Sequence, residues 1–100
     1  MAMSRDRGTA RQKVDHGYGA ICSVDRQPIP ALWMGAANQE HGIVSMRDGS
    51  CPHDLVQRYP IGTLLRVQPN HACATAAQYD AYRVVDGDAI IDTWPRFSGW

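Results

Sequence analysis

One hundred residues with 44% apolar and 20% charged content describe a single small globular domain, with a real but limited core, and exclude long intrinsic disorder. Ten basic residues balance ten acidic ones, so the formal net charge is zero with neutral histidines. No broad positive field exists to gather phosphates, which argues against nucleic acid and anionic membranes as partners. Apolar runs extend only a few residues, far short of a transmembrane span.

The polar opening Ser4 to Gln12 reads as a loop or tether, and the first eleven residues predict no signal peptide because no apolar stretch follows their arginines. Tyr18 to Val24 is aromatic and β-branched, a strand closed by the turn-rich segment Asp25 to Pro30. Ala31 to Ala36 is a second apolar run, too short for a helix, and His41 to Met46 is a third, ended by Arg47-Asp48-Gly49-Ser50. Cys51 to Gly62 carries Pro52 and Pro60 and reads as loop with one helical turn near Leu55. Leu64 to Gln68 is a fourth strand, stopped by Pro69. Tyr79 to Val85 and Asp88 to Trp94 flank Asp86-Gly87, a dipeptide that supplies positive φ for a tight hairpin. No window sustains a helical apolar period. The expectation is a mainly β domain, a small antiparallel barrel or sandwich-like fold with long loops and little helix.

Three cysteines, Cys22, Cys51 and Cys73, are an odd number at wide spacing, which predicts reduced thiols and a cytoplasmic setting rather than a disulfide framework. The segment after the fourth strand carries His71 and Cys73, two positions apart. In an extended chain such residues project to one side, where an imidazole nitrogen and a thiolate can share one borderline-soft ion such as zinc. Two protein ligands leave coordination positions open to water or substrate, the pattern of a reactive rather than a structural site. The spacing is short enough to arise by chance, and a cysteine there also reads as a small core hydrophobe, so the pair alone does not decide.

The surrounding residues resemble a family. Pro69-Asn70-His71-x-Cys73-x-Thr75, behind Gly62-x-Leu64, is similar to the metal-binding signature of the D-threonine aldolase and D-serine dehydratase group. Four further blocks follow the same order: Met3 to Thr9, Val14-Asp15-x-Gly17-Tyr18-Gly19, Asn38-Gln39-Glu40-His41-Gly42, and the closing Asp92-x-Trp94-Pro95-Arg96 with Gly99-Trp100. The resemblance spans nearly the whole chain and looks closest to the aldolase branch, although some aldolases of the group carry Asp in place of Cys73. It implies a fold-type III pyridoxal-phosphate enzyme, similar to alanine racemase, in which an N-terminal barrel holds the cofactor on a Schiff-base lysine and the C-terminal β domain supplies the metal. Residues 1–100 match that C-terminal domain alone, so the N-terminal barrel is the implied partner and a homodimer the implied full-length form.

On the same resemblance, His71 and Cys73 hold zinc or manganese against the β-hydroxyl of a D-configured amino acid, for retro-aldol cleavage to glycine and aldehyde or for dehydration. Pyridoxal phosphate belongs to the full-length enzyme: Lys13, the single lysine, matches no family lysine and reads as a solvated loop charge. No cofactor-binding or catalytic residue is assigned, and the chain is expected to be inactive alone. Glu40 and His41 read as residues that set a strand start, and Cys51-Pro52-His53 as a decoy pair with no family counterpart. His16 is expected to be exposed, Asp6 and Asp15 to brace loops, and Trp33, Trp94 and Trp100 to be core or interface aromatics. The alternative function is a stand-alone, non-catalytic β module that binds a protein partner or a small ligand.

Overall fold

A computed structural model describes residues 3–5 and 13–97; the expectations for Asp6 and Trp100, and most of the opening tether, lie outside them. Eight elements follow in order: β1 (Gly19–Cys22), β2 (Leu32–Ala37), β3 (Gly42–Met46), α1 (Leu55–Arg58), β4 (Arg66–Pro69), α2 (Ala72–Ala76), β5 (Ala81–Asp86) and β6 (Ala89–Pro95). The strands form three antiparallel pairs, β1 with β4, β2 with β3, and β5 with β6. The mainly β expectation holds. Among the described residues, however, no ladder joins one pair to another, so the sheets do not close into a barrel.

The core follows from period-two alternation. Leu32 and Met34 of β2 point inward, while Trp33 between them and Gly35 after them are half-buried. Ile21 of β1 meets them, and Ile21, Leu32 and Met34 form the buried cluster; Cys22 is buried outside it. Val44 and Met46 of β3, Leu55 and Tyr59 around α1, and Leu65 and Val67 at β4 cover its sides. Among the described residues four hydrophobic side chains are buried, too few to supply the second inward-facing layer that a closed sandwich needs.

Element boundaries shift for local reasons. β4 starts two residues late and takes in Pro69, which terminates the ladder opposite Gly19 because it has no N–H to continue it. The single helical turn near Leu55 is present as α1. The last hairpin turns on Gly87-Asp88 rather than Asp86-Gly87, since Asp86 still pairs with Ala89. Gly87 has φ +57° and Asp88 is not among the positive-φ residues, the pattern of a type II′ turn with glycine at its first central position.

Among the described elements, the β5–β6 hairpin makes no extensive contact with another strand or helix. Its tip is tied to the β1–β2 connection by Arg26, which donates to the Gly87 carbonyl and lies 3.7 Å from the Asp88 carboxylate. Every residue of β6 is exposed, including Ile90, Ile91 and Trp94. A lone two-stranded hairpin is marginally stable in water, and an apolar one invites a partner. With zero net charge to oppose contact, the chain is expected to self-associate near pH 7 in analytical ultracentrifugation. Ile91→Asp and Trp94→Ser should each weaken that association roughly tenfold or more, the worth of one large side chain kept from water. A clean monomer at high concentration that binds no apolar dye would contradict this.

Candidate metal-binding turn and its supports

His71 and Cys73 lie on one turn directly after β4, but not as strand neighbours. The segment expected to be an extended loop contains the short helix α2, with His71 as its N-cap (φ −126°, ψ 109°) and Cys73 as its second residue. Ala72, Ala74 and Ala76 account for the helix, because alanine loses the least on adopting it. The strand argument for their sharing one side therefore does not apply. What remains is proximity along the chain: His71 opens the helix and Cys73 is the second residue inside it, so both donors belong to the first turn. His71 makes no side-chain capping bond, is half-buried, and Cys73 is an exposed free thiol.

Two blocks far apart in sequence meet at this turn. The side-chain amide of Asn70 donates to the Gly17 carbonyl at 2.6 Å, and the Asn70 backbone N–H donates to the Tyr18 carbonyl at 3.4 Å. Gly17 has φ +62°, and a β-carbon there would stand 2.1 Å from the Met34 carbonyl oxygen and 2.6 Å from Trp33 Nε1. Tyr18 donates its N–H to that same Met34 carbonyl at 3.0 Å. The turn is thus seated on β2 through the Gly17-Tyr18 segment.

The outer side of that segment carries a charged cluster. Asp15 accepts the Gly17 N–H at 2.8 Å and pairs with Arg5 at 3.3 Å, and its carbonyl accepts from Arg47 at 2.6 Å, so the bracing role expected of Asp15 is present. The Arg5 guanidinium sits 5.9 Å from the Tyr18 ring centroid and 5.7 Å from that of Trp33, within cation–π range. Among the described residues, the buried Trp33 Nε1 has no hydrogen-bond partner. Neither Arg5 nor Asn70 was singled out by residue chemistry; both lie inside family-like blocks, which was the signal available.

Other expected positions fall elsewhere. His16 is half-buried rather than exposed, because it lines a surface cleft together with Ile21, Ile29 and Arg47. Glu40 and His41 are exposed in the β2–β3 connection, where the Asn38 N–H donates to the His41 carbonyl at 2.9 Å. Cys51 and His53 are exposed, and Lys13 is an exposed loop residue. Among the described residues no cluster of three or more His, Cys, Asp or Glu could hold an ion, so any site here starts from two protein donors. Hydrogen bonds from Ser50 and Arg58 hold Asp48 and Asp54 below the usual carboxylate range, and Asp54 in turn raises Arg58; all three lie outside the turn.

The serine dehydratase domain family matches residues 1–85. The chain belongs to that family. It is 52% identical over its full length to the D-threo-3-hydroxyaspartate dehydratase of Delftia sp. (strain HT23), covering 26% of that protein, in its C-terminal region. It is 30% identical to the D-serine dehydratase of Dictyostelium discoideum, covering 25% of it. The chain therefore spans about a quarter of the length of these curated relatives. The solved Delftia structure superposes with a TM-score of 0.82 at 52% identity, covering 99% of this chain and 26% of that one. An ala racemase-like protein from Idiomarina loihiensis gives 0.76 at 41% identity, over 99% of this chain and 26% of that one. Structures of two variants of the hydroxyaspartate dehydratase also match: one with a cysteine replaced by alanine, in a metal-free form, and one with a histidine two positions earlier replaced by alanine. Among the described residues, no helix is long and apolar enough to cross a membrane.

Proposed function

We propose that residues 1–100 form the metal-bearing C-terminal domain of a pyridoxal-phosphate-dependent lyase acting on D-β-hydroxy amino acids, with His71 and Cys73 as the protein's metal ligands. The observation that carries this is a spacing. The replaced histidine and cysteine of the hydroxyaspartate dehydratase lie two positions apart, the cysteine variant is metal-free, and this chain, half identical to that enzyme, has His71 and Cys73 at the same separation. The donor set fits: imidazole nitrogen and thiolate suit zinc, and the exposed Cys73 thiol is open to an ion. Manganese remains the second candidate.

His71 and Cys73 would hold a divalent ion at this turn, and such an ion would supply Lewis acidity toward the β-hydroxyl of a substrate. Elimination of the hydroxyl is better supported than retro-aldol cleavage to glycine and aldehyde, because the named relatives are dehydratases. Both reactions use the same ligands. The pyridoxal phosphate and its lysine fall in the remaining three quarters of such an enzyme, an N-terminal barrel that is the proposed partner, in a homodimer. Free thiols at Cys22, Cys51 and Cys73 suit a reducing compartment, and the cytoplasm is the proposed location.

Calorimetric titration of the chain with zinc and with manganese tests the ligand assignment. His71→Ala and Cys73→Ala should each weaken binding by more than about tenfold, the least that disturbing a site's supports costs. Cys51→Ala and His53→Ala should leave it unchanged. Wild-type affinity in both His71 and Cys73 variants would remove the proposal.

A further inference from the structure

We propose that Asn70 is a positioning residue for the metal turn, acting by locking the start of α2 onto the Gly17 carbonyl; the inference rests on the ligand reading above. Pro69 ends β4 and His71 caps α2, so Asn70 is the single residue at which the chain leaves the ladder and enters the ligand turn. α2 has five residues and no side-chain cap, so its own geometry does little to fix where it begins. Asn70 fixes it from outside, with two hydrogen bonds onto consecutive residues 53 and 52 positions earlier in the chain, at 2.6 and 3.4 Å.

The acceptor is as constrained as the donor. Gly17 sits in the left-handed region against the Met34 carbonyl, and Asp15 holds its N–H, so its own carbonyl has little freedom to follow Asn70. Only the NH₂ side of an amide can face a carbonyl oxygen. Asn70 thereby transmits the position of β2 to His71, the next residue. Supports of this kind, which aim ligands without touching the ion, typically carry tenfold to a hundredfold in metal affinity.

The test uses the hundred-residue chain with cobalt(II) as a spectroscopic probe, alongside zinc calorimetry. Asn70→Asp keeps the shape, loses the donor and places a carboxylate oxygen against the Gly17 carbonyl; Asn70→Ser is shorter but keeps a donor. We expect Asn70→Asp to weaken cobalt binding tenfold to a hundredfold and to alter the thiolate-to-cobalt charge-transfer band, with Asn70→Ser intermediate. A merely structural residue would lower the melting temperature of the metal-free chain and leave the affinity and band of the folded fraction as in wild type. That result, in whichever of the two variants folds, would overturn the proposal. If His71→Ala and Cys73→Ala also bind cobalt as wild type does, the ligand reading itself has failed. If they lose cobalt while the Asn70 variants keep it, the ligand reading stands and the role of Asn70 does not.

Discussion

Met34→Ala is expected to cost about 2–5 kcal/mol of folding stability, the usual range for emptying a buried methionine site. Met34 is 2% exposed and is one of three residues in the buried cluster, so its truncation empties the centre of the core. A domain of this size has roughly 5–15 kcal/mol in total, and the substitution would consume a large part of it. Urea unfolding followed by circular dichroism measures the loss directly. Met34→Leu, close in volume, should cost less than about 1.5 kcal/mol. If the alanine variant unfolds within about 1 kcal/mol of wild type, the β1–β2 contact is not the centre of the fold.

Gly17→Ala is expected to damage fold and metal turn together. The left-handed backbone alone costs an L-residue about 1–2 kcal/mol. The added methyl would meet the Met34 carbonyl oxygen at 2.1 Å, a backbone atom that cannot swing aside, so either β2 or the Gly17 segment must shift. Overpacking of this kind adds about 1–3 kcal/mol. Any shift of Gly17 also moves the acceptor of Asn70. Thermal unfolding of the metal-free variant should show the first effect, and its zinc affinity the second. A fully wild-type melting temperature would show that the close approach at Gly17 is relaxed in solution.

What the sequence announces and what it conceals divide along physical lines. Leu32 and Met34 alternate with Trp33 and Gly35, and Gly87 marks a tight turn, so the strands and the last hairpin are legible from neighbours alone, although the turn lies one residue further on than expected. The helix α2 is not: five residues are too few to show a period, and the proline and asparagine ahead of it read as loop punctuation. The pairing of β1 with β4 is hidden for another reason, since Gly19 and Pro69 are fifty positions apart and no local preference specifies who pairs with whom. Likewise, His71 and Cys73 stand out as donors, whereas Asn70 and Gly17 matter through contacts that exist only once the chain has folded. The half-buried His16 belongs to the same class.

The three cysteines differ in access, Cys22 buried and Cys51 and Cys73 exposed, and that difference makes the molecule its own gauge. A thiol-alkylating reagent should label Cys51 and Cys73 and spare Cys22 while the fold is intact. An ion seated on the turn would shield Cys73 and leave Cys51 as an internal reference within the same polypeptide. The ratio of the two labels, read by mass spectrometry, then reports occupancy, and labelling of Cys22 reports opening of the core, from one sample and without any assay of turnover.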